Sequence, residues 1–203
     1  MKNQELPHGP LPPSTAHLCV DMQNLFAEDT PWRTPWMDRV RPVAARLARH
    51  RPEHTVFTRF IPPERPEDMP GTWRRYYERW RELTGERADP RLVELVPELR
   101  ELAPPATVFD KAVYSPFHDG RLAPLLRERG VDTLVVSGTE TDVCVLAAVL
   151  GAVDHGFRVV LARDALCSST DETHDALLKL YHDRFGQQIE VAGTDTILAQ
   201  WAG

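Results

Sequence analysis

Asp21, Lys111 and Cys144 are the residues of this chain whose types and positions could together do chemistry. Each stands at, or shortly beyond, the end of an apolar, β-branched run. Leu18-Cys19-Val20 precedes Asp21, Val108-Phe109-Asp110 precedes Lys111, and Leu134-Val135-Val136 leads through Gly138 to Cys144. A thiol in the first turn of a helix meets free backbone N–H groups and the positive end of the helix dipole, which favour its anion and lower its pKa. A nearby carboxylate could take the thiol proton and return it to a leaving nitrogen, and an ammonium could stabilise both. The chemistry of such a set is acyl transfer to water through a thioester, with backbone N–H groups between Glu140 and Cys144 receiving the oxyanion. Each residue alone has a plainer reading: a core thiol, a turn-capping aspartate, a solvated lysine. Three complementary groups at equivalent strand ends weigh against three coincidences.

The elements that must position them alternate. Period and composition predict strands at 16–20, 54–59, 106–110, 132–136, 157–162 and 188–191. Helical spacing marks 36–49, 144–153, 171–185 and 194–201, a segment at 92–102 interrupted by Pro97, and a short helix at 122–126 closed by Gly130. Thr141 or Asp142 is expected to cap the helix that carries Cys144, and 22–26 reads as a turn into irregular structure. Alternation of this kind implies an α/β fold, a three-layer, Rossmann-type arrangement with a six-stranded parallel sheet and helices on both faces. In such sheets ligands collect beyond the carboxyl ends of the strands, near a switch in strand order. Residues 61–89 break the rhythm with Pro62, Pro63, Pro66 and Pro70, followed by the aromatic and basic run Gly71 to Trp80. This insertion reads equally as a substrate-facing lid or as a surface or subunit contact.

The totals narrow the class. A length of 203 residues fits one domain, 16–203, behind a proline-bearing arm at 1–15 that is expected to be loosely held. A net charge of -6 offers no basic excess for nucleic acid. The arm has no apolar core, so neither a signal peptide nor a membrane anchor is expected. Three scattered cysteines make no disulfide framework and fit a reducing, cytoplasmic setting. The turn at Asp21 holds no glycine, against a dinucleotide-binding loop.

The chain resembles the isochorismatase-like cysteine hydrolases, which include nicotinamidases and N-carbamoylsarcosine amidase. The resemblance runs from about His17 to the C-terminus and rests on Val20-Asp21-Met22-Gln23-Asn24, Asp110-Lys111, Gly138-Thr139-Glu140-Thr141-Asp142-Val143-Cys144-Val145, and Gly156-Phe157-Arg158-Val159-Val160 with Asp164-Ala165. It implies a catalytic triad of Asp21, Lys111 and Cys144, and a cis, non-proline Thr139–Glu140 peptide in an oxyanion loop of Thr139, Glu140 and Val143. Metal-dependent nicotinamidases carry Asp-x-His after the second strand, where this chain has Arg59-Phe60-Ile61-Pro62, so no metal and no other cofactor is expected. The eight histidines, His54 and His118 among them, show no ligand spacing. Retention of Cys144 favours cleavage of a small amide or ureido C–N bond; the alternative is vinyl ether hydrolysis, which proceeds by protonation and does not need the thiol. Gln23, Phe26, Arg59, Trp73, Arg74, Tyr77 and Thr141 are expected to face the substrate. The arginines could hold a carboxylate or carbonyl, or could instead pair with Glu78, Glu82 and Glu86. The expected partners are a small-molecule substrate and further copies of the chain in a dimer or tetramer.

Overall fold

The six apolar runs pair into one sheet. The computed structural model describes residues 5–201, with strands β1 (Thr15–Val20), β2 (Thr55–Phe60), β3 (Thr107–Lys111), β4 (Thr133–Thr139), β5 (Arg158–Cys167) and β6 (Ile189–Ala192). All pairings are parallel, in the order β3-β2-β1-β4-β5-β6. The helices are α1 (Asn24–Ala27), α2 (Met37–His50), α3 (Gly71–Arg79), α4 (Pro97–Arg100), α5 (Leu122–Glu128), α6 (Cys144–Asp154), α7 (Asp171–Phe185) and α8 (Thr194–Gln200). Strands β1 and β4 are buried along their whole length, which is why they read as continuous apolar runs rather than alternating ones.

Alternate side chains of the strands feed two cores. Leu18, Val20, Leu134, Val136, Val159 and Leu161 pack with α5, α6 and α7. Cys19, Phe57 and Cys167 point to the opposite side, where Val40, Ala44, Ala45 and Ala48 of α2 cover them. Val135, Val160 and Ala162 extend that second layer to Leu47 and to Ile197 of α8. The arrangement is therefore three layers, as the alternation implies. Among the described residues, no helix is long and apolar enough to cross a membrane.

Several boundaries differ from the sequence reading, each for a tertiary reason. Strand β4 continues through Ser137-Gly138-Thr139, which are not apolar, because β1 pairs with Ser137 and Gly138. Strand β5 likewise runs on to Cys167 past a register shift opposite Val136–Gly138. Pro97 opens α4 rather than interrupting a helix, since the first helical position needs no N–H donor. The expected cap of α6 is also corrected. Val143 occupies the N-cap without a side-chain bond, while Thr141 bonds to Cys167 O and His174 and Asp142 accepts from Ser168 Oγ. The arm is not loose over the described residues. Leu6 and Leu11 are buried, Leu6 N–H donates to Gln200 Oε1, His8 N–H donates to Glu190 Oε2, and Arg158 donates to Gly9 O and Pro10 O. Residues 1–4 lie outside the described part.

One close approach fixes the centre of the sheet. Gly138 has φ +116°, and a β-carbon placed on it would lie 2.0 Å from Val20 O. Only glycine lets β4 leave the sheet this close to the end of β1, so Asp21 and the loop to Cys144 come out side by side. Gly138→Ala is expected to lower stability by about 3 kcal/mol, read as a lower denaturant midpoint. An unchanged midpoint would mean that the two strand ends can move apart freely.

Candidate active site

The order of the strands reverses direction between β1 and β4, which opens a crevice beyond their carboxyl ends. Asp21 follows β1 with φ 52°, the only positive value at a non-glycine among the described residues. Aspartate tolerates this left-handed conformation better than most residues. The turn is held by Asp21 N–H to Thr58 O at 3.2 Å and Gln23 N–H to Asp21 O at 2.8 Å. Lys111 closes β3, two strands away. Cys144 opens α6, and its helix start is held by Glu140 O, which accepts the N–H groups of Val143 and Val145 at 3.1 and 3.0 Å. The Cys144 N–H between them has no acceptor among the described residues. The Thr139–Glu140 peptide is cis, as the resemblance implies.

The three side chains meet in a dry cluster. Lys111 Nζ lies 2.7 Å from Asp21 Oδ2, with side chains 2% and 0% exposed. It also donates to Cys144 Sγ at 3.5 Å and to Val113 O at 3.1 Å, and stands 4.8 Å from the Phe60 ring centre. Thr58 Oγ1 donates to Asp21 Oδ1 at 2.6 Å. The Asp21 carboxyl group is thus held by the Lys111 ammonium at Oδ2 and by a hydroxyl at Oδ1.

Burial reverses one expectation of the sequence. The Cys144 thiol is pushed well above its ordinary range, first by burial and then by the Asp21 charge, against which Lys111 acts in the lowering direction. Burial and the Asp21 charge thus oppose the helix start and the nearby cation. Lys111 moves upward: burial alone would lower it, but Asp21 and Cys144 together outweigh that effect. Burial also pushes Cys19 to about 12 and Cys167 to about 11. His17, bonded to Ser137 Oγ inside the sheet, is lowered to about 3 by burial and stays neutral.

Cys144 faces a cavity of about 40 Å³ lined by Phe26, Trp32, Phe60, Tyr76, Tyr114, Glu140 and Val143. Several larger hollows lie elsewhere, such as those beside Glu5 and Gly9 or around His182, but they are surface dimples without these side chains. The insertion at 61–89 contributes Tyr76 from α3 to the cavity wall. Its Trp73 stands behind, 4.7 Å from Tyr114 and 6.4 Å from Phe60 between ring centres. Tyr77 is fully buried beneath them.

Other expected substrate contacts are engaged elsewhere. Arg59 makes a bidentate pair with Asp110, its register partner on β3, at 2.7 and 2.9 Å, and meets Glu94 at 3.1 Å. Arg74 is exposed and donates to Glu67 O. Gln23 is buried and clamps the end of β2, accepting from Phe60 N–H and donating to Phe60 O and Val93 O. Thr141 is likewise buried, between Cys167 O and His174. Of the residues expected to face substrate, Phe26 lines the cavity; Trp32, Phe60, Tyr76 and Tyr114 were not among them. Among the described residues, no three His, Cys, Asp or Glu side chains converge as metal ligands. Ile61 and Pro62 after β2 carry no donor, so the residues present do not fit a zinc-type site.

The Isochorismatase domain model matches residues 15–193, and the chain belongs to that family. It is 34% identical over 82 residues to maleamate amidohydrolase of Pseudomonas putida, an alignment that covers 40% of this chain and 38% of that protein. The matched stretch thus spans well under half of that curated relative. Pyrazinamidase of Pyrococcus horikoshii, solved in complex with zinc, is 28% identical and aligns with a TM-score of 0.73 over 89% of this chain and 99% of its own. A cysteine hydrolase from Pseudomonas syringae pv. phaseolicola shares the fold, with a TM-score of 0.80 over 98% of both chains at 23% identity.

Two consequences for reactivity follow from burial. Iodoacetamide should label Cys144 before Cys19 and Cys167, because Cys144 borders a cavity and the others are sealed in the core. Its rate should keep rising beyond pH 9, since the thiolate forms only above the ordinary thiol value of 9.0. Peptide mapping across pH reads both; a plateau below neutral pH would show a stabilised resting thiolate instead.

Proposed function

We propose that this protein is a cysteine hydrolase that cleaves the C–N bond of a small amide through a thioester. The observation that carries this reading is the buried contact of Lys111 with both Asp21 and Cys144 at the sheet's switch point. The relatives support it: maleamate amidohydrolase and pyrazinamidase are named for amide substrates.

The resting thiol is neutral, so attack begins with a proton transfer. Asp21 takes the Cys144 proton on Oδ2 as Sγ bonds to the amide carbon and the carbonyl oxygen becomes negative. The unbonded Cys144 N–H, at the positive end of α6, is the donor available to that oxygen. Asp21 then returns the proton to the leaving nitrogen, the C–N bond breaks, and an amine or ammonia departs from the thioester. In the second half Asp21 takes a proton from water, hydroxide adds to the thioester, and the proton goes back to Sγ as the acid is released. Lys111 holds the Asp21 carboxyl group in its dry position before each transfer and stabilises sulfur when it carries charge.

Cys144→Ala should reduce ammonia release from a cleavable amide by at least about a thousandfold with the circular dichroism unchanged. Full activity in that variant would remove the thioester and favour chemistry by protonation. Lys111→Arg should fail nearly as badly as Lys111→Met, because the planar guanidinium does not fit a position fixed by Asp21, Val113 O and the Phe60 ring. Substantial retention of activity in the arginine variant would mean that a diffuse positive charge suffices.

A further inference from the structure

The cavity beside Cys144 has a chemical bias that the triad does not explain. Its walls are five aromatic rings, Phe26, Trp32, Phe60, Tyr76 and Tyr114, and one carboxylate, Glu140. No lysine or arginine lines it. Three basic groups around the site are committed elsewhere: Lys111 to Asp21, Arg59 to Asp110 and Glu94, and Arg74 to Glu67 O.

Glu140 is not a solvated rim group. It is half-buried, and its Oε1 is fixed by Ser169 N–H at 3.1 Å, from the segment after β5. Burial first, and then nearby charges among which Glu140 ranks behind Cys144, raise the phenols of Tyr76 and Tyr114, and both line the same cavity as Glu140. The carboxylate and the two tyrosines share one small space. Aromatic faces attract cations through the ring quadrupole, and a carboxylate within the same cage adds a direct charge partner. An anionic group brought there would meet Glu140 in a water-poor cavity, where repulsion between like charges is strong. The neutral donors of Trp32, Tyr76 and Tyr114 carry no charge to offset it.

We infer that the site selects small carboxamides bearing a positive charge, with Glu140 as the specificity-determining residue, and rejects carboxylate-bearing amides. This inference rests on the hydrolase reading for its biological meaning but is tested by binding alone. Glycinamide, propanamide and malonamate share one amide skeleton and present an ammonium, a methyl and a carboxylate at the same atom. Titration of the wild-type protein, followed by ligand-detected NMR at neutral pH, should show glycinamide bound about tenfold tighter than propanamide, and malonamate weakest. In Glu140→Gln, which keeps an oxygen for Ser169 N–H, the ratio of glycinamide to propanamide affinity should fall towards one. A wild-type protein that binds the three alike, prefers malonamate or fails to bind glycinamide overturns the inference, whether or not the glutamine variant folds. So does a ratio unchanged in a folded glutamine variant. Ammonia release separates the two readings. Preferential glycinamide binding with no amide hydrolysed on a wide panel sinks the hydrolase reading alone. Hydrolysis of propanamide and malonamate without preference for the cation, matched by equal binding, sinks this one alone.

Discussion

Lys111 Nζ lies 2.7 Å from Asp21 Oδ2 with both side chains out of water, and this contact sets the demands on the rest of the sheet. Removing two charges from solvent costs several kcal/mol for each, and attraction offsets that only with good geometry and further partners. The partners are present: Thr58 Oγ1 on the carboxylate, Val113 O and the Phe60 ring around the ammonium. Asp21 and Lys111 leave from β1 and β3, which are separated by β2 and so stand about 10 Å apart. A long side chain is needed to cross that gap, and the last residue of β2, Phe60, supplies the aromatic surface over which it crosses. Taking away one partner would leave an uncompensated buried charge, so the pair also forces the strand ends to stay level.

The same constraint explains what could be read from the chain. The central strands β1 and β4 were legible because they are buried on both faces and so appear as largely apolar runs, and the reactive residues were legible because they interrupt or end such runs. Asp21, Lys111 and Cys144 needed only the rule that parallel strands gather their carboxyl ends on one side. The cavity wall was less legible. Arg59 could be read as facing substrate or as paired with a glutamate of the insertion, yet its fate was decided by Asp110, which the β2–β3 register places directly beside it. Trp32 and Tyr114 sit in connections without periodicity, and nothing local says that they turn towards the thiol. The one available signal was proximity along the chain, since Tyr114 follows Lys111 by three residues and Trp32 follows the turn begun by Asp21. Thiol acidity was misjudged for a related reason. A helix start and a neighbouring lysine are visible in a sequence, but the depth of burial that opposes them is not.

That reversal bears on how the cluster holds its protons. Lys111 is already engaged by the Asp21 carboxyl group, so a thiolate would add negative charge where the one ammonium is shared. A dry site resists that excess, the direction in which burial and the Asp21 charge push the thiol. In the proposed reaction the negative charge leaves sulfur for a carbonyl oxygen at the start of α6, while the proton passes to Asp21. Net charge in the cluster then never rises during the attack; it is redistributed from a carboxylate to an oxyanion beside free backbone N–H.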